Sequence, residues 1–283
     1  MDYLNLGCMN RYHPDWTNVD IVSTGKSVIA HDLTQGIPFP DASFDVVYHS
    51  HLLEHIPKTE AEPFLKECRR VLRPQGVFRI VVPDLEQIAK TYLLALEQAS
   101  SGSKEWASNY EWILLEMYDM TVRNESGGEM AAYLARENIA DEFVEKRCGI
   151  PIQKWRKDLL EESTQLKSIP IQESQLQHFL KRIYWFFSDS GYRQHRLLKS
   201  LLGKKDYKAL QIGRLRQSGE LHQWMYDRYS LTLLLEKCGL ENIVQLSATE
   251  SHVKNWTSFN LDTEADGTVY KPDSLYIEAI KGS

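Results

Sequence analysis

Five apolar runs in the first 84 residues each stop at a polar residue or a glycine, and that repetition restricts the fold more than any other feature. Tyr3-Leu4-Asn5-Leu6 runs into Gly7, and Trp16-Thr17-Asn18-Val19 ends at Asp20. Val28-Ile29-Ala30-His31 closes with Asp32-Leu33, Phe44-Asp45-Val46-Val47-Tyr48 with His49-Ser50-His51, and Val77-Phe78-Arg79-Ile80-Val81-Val82 with Pro83-Asp84. Between the fourth and fifth runs, residues 60–72 place Phe64, Leu65, Cys68, Val71 and Leu72 at helical spacing. Thr59 and Glu62 have the spacing of a capping box, and Pro74 and Gly76 supply a stop. Strand, helix and strand in this order predict a parallel sheet, whose ligands collect beyond the carboxyl ends of the strands. There Gly7 lets a ligand approach the backbone, Asp20 suits a ribose diol and Asp32 an exocyclic purine amine. Only 13 positions separate Gly7 from Asp20, so the usual crossover helix is short or missing.

The rhythm changes in the middle of the chain and then returns. Residues 87–99, 105–122, 129–147, 153–166 and 173–188 suit amphipathic helices, with no strand pattern among them. Such an insertion far exceeds the roughly 2–6 residues usual for an α/β connection. Residues 226–237 then read as a helix with Leu231, Leu234 and Leu235 inward, and 243–246 and 274–280 as an antiparallel pair. The expected class is therefore α/β: a Rossmann-like, mostly parallel sheet with a terminal antiparallel hairpin and a helical insertion after strand five. Residues 1–85 and 220–283 would form the core, and 86–219 a substrate or cap lobe.

With 283 residues, 42% of them hydrophobic, the chain has enough core to fold without staples. Cys8, Cys68, Cys148 and Cys238 form no paired pattern and read as reduced thiols. A first strand at residue 3 leads to the expectation of no targeting segment and a cytoplasmic protein. No apolar run is long enough to span a bilayer. A net charge of −6 argues against general nucleic-acid binding. The stretch 193–216 nevertheless carries eight basic residues against one acid, Asp206, directly after Ile183-Tyr184-Trp185-Phe186-Phe187. That combination suits peripheral contact with an anionic membrane face, or phosphates on an activated sugar. It equally suits a solvated face beside lobe core or a dimer contact.

The run Leu4-Asn5-Leu6-Gly7-Cys8 followed by Trp16-Thr17-Asn18-Val19-Asp20 resembles motif I and the acidic loop of class I S-adenosylmethionine-dependent methyltransferases. Ile37-Pro38-Phe39-Pro40-Asp41-Ala42-Ser43-Phe44-Asp45-Val46-Val47 and Leu53-Glu54-His55-Ile56 resemble the fourth-strand block of that superfamily. Residues 65–76 are similar to its helix and turn before strand five. His222-Gln223-Trp224-Met225-Tyr226-Asp227 and Lys271-Pro272-Asp273-Ser274-Leu275 resemble a bacterial subgroup associated with surface-polysaccharide biosynthesis.

The resemblance implies S-adenosylmethionine as cofactor, held by Leu6, Gly7, Cys8, Asp20, Ile21, Asp32, Leu33, His49 and Ser50. It implies O-methylation of a small-molecule or glycan acceptor, with Trp224, Tyr226 and Arg228 as acceptor contacts. A hydroxyl acceptor needs its proton removed, and His51, Asp84 and His222 are the candidates. Two positions depart from the family pattern. Met9 stands where a second glycine is usual, and Asn5 where an acid often grips the cofactor's ammonium group. They leave open a cofactor-binding scaffold without turnover. His51-Leu52-Leu53-Glu54-His55 also has the spacing of inverted zinc proteases. Pro57 stops any helix there within two residues, so the expectation is no metal, with a zinc hydrolase as the remaining alternative.

Overall fold

The computed structural model of the chain describes residues 1–136, 139–168 and 190–283. Seven strands form one sheet in the order β3-β2-β1-β4-β5-β7-β6. Their ranges are β1 Tyr3–Leu6, β2 Thr17–Asp20, β3 Val28–Ala30, β4 Phe44–Ser50, β5 Leu72–Pro83, β6 Leu240–Leu246 and β7 Ser274–Lys281. The first five pair in parallel, while β7 runs antiparallel to both β5 and β6. The expected α/β class and terminal hairpin are present, with β7 inserted between β5 and β6 rather than added at the edge.

The strand period of two divides the side chains between two covers. On one face Leu4, Leu6, Val47, Phe78, Ile80, Leu275 and Ile277 pack against α1 (Lys58–Val71) and the C-terminal helix α9 (Arg228–Lys237). On the other face no crossover helix joins β1 to β2. Val46, Tyr48, Val81 and Tyr276 are covered instead by Trp16 and by Val253, Trp256 and Leu261 from the β6–β7 connection. The short link seen between Gly7 and Asp20 thus leaves a bare sheet face, and aromatic bulk from loops fills it.

Arg79 lies under that loop cover, fully buried, between Asp262 and Glu278, each 2.8 Å away. Tyr48 Oη donates to the second Asp262 oxygen at 2.6 Å. The loop after β1 is tied to the same connection. Arg11 pairs with Glu264 at 2.8 Å, donates to the carbonyls of Leu261 and Thr263, and lies over the Tyr270 ring.

The inserted helices are α2 Leu85–Ser100, α3 Lys104–Val122, α4 Gly128–Leu134, α5 Asp141–Cys148, α6 Ile150–Ser168, α7 Ser190–Leu201 and α8 Lys204–Arg216. Trp112, Met130, Tyr133, Leu134, Val144 and Ile152 make up a separate core for them. The helix expected over 129–147 is broken into α4 and α5. The helix expected over 173–188, with its aromatic run 183–187, lies outside the described residues.

Three local expectations are corrected. Thr59 and Glu62 form no capping box: the Pro57 carbonyl accepts from Glu60 and Ala61, so α1 begins at Lys58, before Thr59 could cap it. Pro74 and Gly76 lie inside β5 rather than beyond a helix end, with Gln75 in the left-handed region at φ 63°. Strand β3 stops at Ala30, because Asp32 already caps a turn of 3-10 helix over Leu33–Gln35.

Candidate active site

At the carboxyl ends of β1 and β2 the chain makes a tight loop around one carboxylate. Gly7 (φ 64°) donates its N–H to the Val19 carbonyl at 2.8 Å, and Cys8 to the same oxygen at 3.4 Å. A side chain on Gly7 would meet Leu52 at 2.9 Å, so glycine is needed there for backbone conformation and for contact with the turn after β4. Met9 adopts the left-handed conformation (φ 45°) that a second glycine would take readily, at a cost of about 1–2 kcal/mol. Its N–H donates to Asp20 Oδ2 at 2.7 Å, while its side chain stands 68% exposed. The residue that broke the sequence pattern thus keeps the backbone shape and turns its bulk outward.

Asn5 is buried and serves the loop itself. Its Nδ2 donates to the Arg11 carbonyl at 3.1 Å and to Asn18 Oδ1 at 3.2 Å. Asn18 in turn donates to the carbonyls of His13 and Trp16. Asp20 Oδ1 accepts a long bond from the Val22 N–H at 3.5 Å, which with the Met9 bond leaves lone pairs free, flanked by the exposed side chains of Ile21 and Val22. An acid between exposed apolar groups suits a ribose and a planar base. Asp32 is exposed; bonds from the Thr34 hydroxyl and N–H lower its carboxyl below the usual range. These groups have the chemistry an adenosine moiety would need, whereas Asn5 offers no acid to an ammonium group.

The turn after β4 carries the densest titratable cluster on this edge. His49 faces the core between Phe64 and Phe78, and neither of its ring nitrogens has a hydrogen-bond partner among the described residues. Burial pushes it down to about 4. Any contact it makes with a cofactor must come from its backbone. His51 takes a left-handed backbone (φ 52°) and donates its N–H to the Val81 carbonyl. That conformation aims its ring between two partners, with Nδ1 3.2 Å from Glu54 Oε1 and Nε2 2.8 Å from Ser274 Oγ.

Glu54 is completely buried. Burial alone would raise its carboxyl, but His51, then His55 and His222, outweigh this and hold it down at about 2. Burial lowers His55, and it lowers His222 to about 3. The two rings meet edge to face, with centroids 4.9 Å apart. Tyr226 Oη, also buried, lacks a hydrogen-bond partner among the described residues, and burial raises it to about 12.

His51 and His222 open onto a cavity of about 230 Å³ between the sheet edge and the inserted helices. Pro83, Lys271 and Asp273 line it from the core, Met225 from the returning segment. Ile88, Glu116, Met120, Met130, Cys148, Pro151, Ile152 and Trp155 line it from the lobe. Glu116 is held by Arg147 through both carboxylate oxygens, and burial still raises its carboxyl.

Two of the three proposed bases thus converge on one cavity, and the third does not. Asp84 caps α2, accepting from Glu86 at 3.0 Å and Gln87 at 3.2 Å, and does not line the cavity. None of the expected acceptor contacts lines this cavity. Trp224 lies under Lys58 Nζ at 3.8 Å, Tyr226 is in the core, and Arg228 pairs with Glu86 at 2.9 Å on the surface. Met225, between two of the named residues, lines the cavity instead. The zinc-protease spacing fails as a motif because His51 precedes a single 3-10 turn, Leu53–His55. Ser274, Lys271 and Asp273 stand in a block the sequence singled out without giving it a role. Glu116, Cys148 and Trp155 carry no local signal, since each sits on an ordinary amphipathic helix.

A family model described as a methyltransferase domain matches residues 14–80. A probable S-adenosylmethionine-dependent methyltransferase of Mycolicibacterium smegmatis is 43% identical over 56 residues, 20% of this chain and 21% of that protein. The match therefore spans about a fifth of that relative's length. Among solved structures, a SAM-dependent methyltransferase from Archaeoglobus fulgidus is 12% identical and covers 99% of this chain and 86% of its own, with a TM-score of 0.38. The 1,6-didemethyltoxoflavin-N1-methyltransferase of Burkholderia thailandensis, solved with S-adenosylhomocysteine, is 21% identical over 29% of this chain and 45% of its own, with a TM-score of 0.25. Likenesses as remote as these two add nothing to the strand order itself. The cofactor of the domain matched in sequence is S-adenosylmethionine.

Proposed function

We propose that the chain transfers the methyl group of S-adenosylmethionine to an oxygen of a sugar or glycan intermediate, with His51 as proton acceptor. The cofactor, when bound, supplies an electrophilic methyl group, so the protein's own work is placement and deprotonation of the acceptor. Asp20 would hold the ribose hydroxyls beside Ile21 and Val22, with Leu6, Gly7 and Cys8 offering backbone to the cofactor's tail. Asp32 and Leu33 would meet the base edge.

The observation that carries the reading is the His51 imidazole, fixed between Glu54 and Ser274 at the wall of a cavity. With Nδ1 facing the Glu54 carboxylate, Nε2 is the nitrogen left to take the acceptor's proton. Trp155 gives the apolar face of a sugar ring a platform, and Asp273, Lys271 and Glu116 supply polar partners for its hydroxyls.

The test is mass-spectrometric detection of a methylated product, with S-adenosylhomocysteine, across a panel of sugars, nucleotide sugars and lipid-linked sugars. His51→Asn tolerates a left-handed backbone, so it should keep the fold and cofactor affinity while lowering kcat about 10²–10⁴-fold. An unchanged kcat refutes the role of His51. The commitment of Asn5 to the loop favours a second reading, a cofactor-binding scaffold. Calorimetric binding of cofactor with no product from any acceptor supports that reading.

The helices α7 and α8 carry exposed Arg196, Lys199, Lys204, Lys205, Lys208, Arg214 and Arg216 beside exposed Leu197 and Leu201. We propose this face for peripheral contact with anionic membranes, where a lipid-linked acceptor would be found. Co-sedimentation with anionic vesicles that fails at both low and high salt sinks that proposal.

A further inference from the structure

We propose that Glu54, His55 and His222 form a site for one divalent transition-metal cation of the zinc class, clamping the segment that returns from the helical lobe onto the turn after β4. A carboxylate oxygen of Glu54 and one ring nitrogen from each histidine lie within 4.8 Å of one another. Two imidazoles and a carboxylate are a borderline donor set that suits Zn²⁺ or Co²⁺ over Mg²⁺ or Ca²⁺. A tetrahedral ion with bonds of about 2.0–2.1 Å holds its ligands roughly 3.4 Å apart. The three groups therefore need to close by no more than about 1.4 Å, within reach of side-chain rotation.

Three further observations point to a ligand rather than to chance proximity. Glu54 is wholly enclosed, yet among the described residues only His51 comes within ion-pair distance of it, and its oxygens meet no regular hydrogen-bond geometry. Leaving a buried carboxylate so poorly matched is costly unless something else completes its shell. His55 is set in the tautomer a metal ligand needs. Its Nδ1 lies 3.3 Å from the Leu221 carbonyl, which can only accept, so Nδ1 carries the hydrogen and Nε2 presents its lone pair. The backbone around the site is already stapled: Gln223 and Trp224 both donate to the Glu54 carbonyl, and His222 donates its N–H to Met120 O. The ligands thus come from two chain segments held in register before any ion arrives.

His222 also lines the cavity, so the ion would sit in its wall. The site differs from the zinc-protease pattern of the sequence: His51 is directed at Glu54 and Ser274, and His222, 167 positions beyond His55, replaces it. This inference concerns ligation alone and does not rest on methyl transfer.

The test starts from full-length protein stripped with a chelator and titrated with Co²⁺, then Zn²⁺. One equivalent of Co²⁺ should give visible d–d absorption that Zn²⁺ abolishes, and one equivalent of Zn²⁺ should raise the melting temperature. His222→Ala should weaken binding more than about 100-fold, beyond the 10–100-fold usual for outer-shell losses. Cys148→Ser and the exposed His195→Ala should leave it unchanged. Failure of the wild-type protein to bind a stoichiometric ion overturns the proposal whatever the variants do. So does binding that survives His222→Ala, or binding that Cys148→Ser abolishes, which would place the ion among Glu116, Cys148 and Asp273 instead.

Discussion

Two of the buried carboxylate clusters among the described residues, around Arg79 and around Glu54, are finished to different degrees. Around Arg79 every donor is used. Nε and Nη2 reach Asp262, Nη1 reaches Glu278 and the Glu250 carbonyl, and Nη2 also reaches the Ser247 carbonyl. Glu278 additionally accepts from Ser251 and from the N–H of His252. Around Glu54 the enclosure is as complete, but the partners are few and a cavity adjoins. A closed network has no capacity left for a ligand and acts as scaffold. An open one keeps the cost of burial without its compensation, which marks a place built to receive something.

The largest effect expected from this contrast is at the closed network. Arg79→Met leaves Asp262 and Glu278 enclosed without their cation and should cost about 3–5 kcal/mol in urea unfolding. A loss below about 1 kcal/mol would mean that the loops, not the ion pairs, hold that face. His49 tests the opposite condition, a buried polar group with no partner. Its folded pKa of about 4 lies below the ordinary 6.5, so the unfolded chain binds more protons between those values. Stability should therefore fall as pH drops from about 6.5 toward 4, with about 3 kcal/mol of the loss due to His49 and a further share to His55 and His222, which burial also lowers. His49→Leu should make that slope shallower by the His49 share and cost nothing at pH 7, where it deletes two unpaired nitrogens. An unchanged pH profile would show that His49 finds a partner in solution.

Asp20 lies between the two extremes, committed to Met9 by one oxygen. Asp20→Ala should weaken cofactor binding by about 1.5–3 kcal/mol in calorimetry, the range for a hydrogen bond to a charged group. An unchanged dissociation constant would class Asp20 with the closed network. The smallest effect is expected at Met9. Met9→Gly relieves a left-handed residue and should add up to about 1 kcal/mol of stability while leaving cofactor affinity alone. A gain in affinity would show that the exposed methionine folds back over the site.

The sheet was legible because its signals are local. Alternating apolar runs that end in Gly7, Asp20 and Asp32 state both the strands and the edge where ligands collect, and the 13 positions from Gly7 to Asp20 leave no length for a full crossover helix. The candidate site was legible in part. His51 and His222, singled out by their chemistry, line the cavity, whereas Asp84, singled out in the same way, caps α2.

Residue order alone therefore determined the fold class, the strands and the acids at their ends, because periodicity and termination are properties of neighbours in the chain. Only the tertiary structure decided that Asn5 serves a loop and that Met9 copies a glycine's backbone. It also decided that Glu54 faces His51, His55 and His222 together. Those outcomes depend on which distant segments come within a few ångströms, and packing, not sequence spacing, sets that distance.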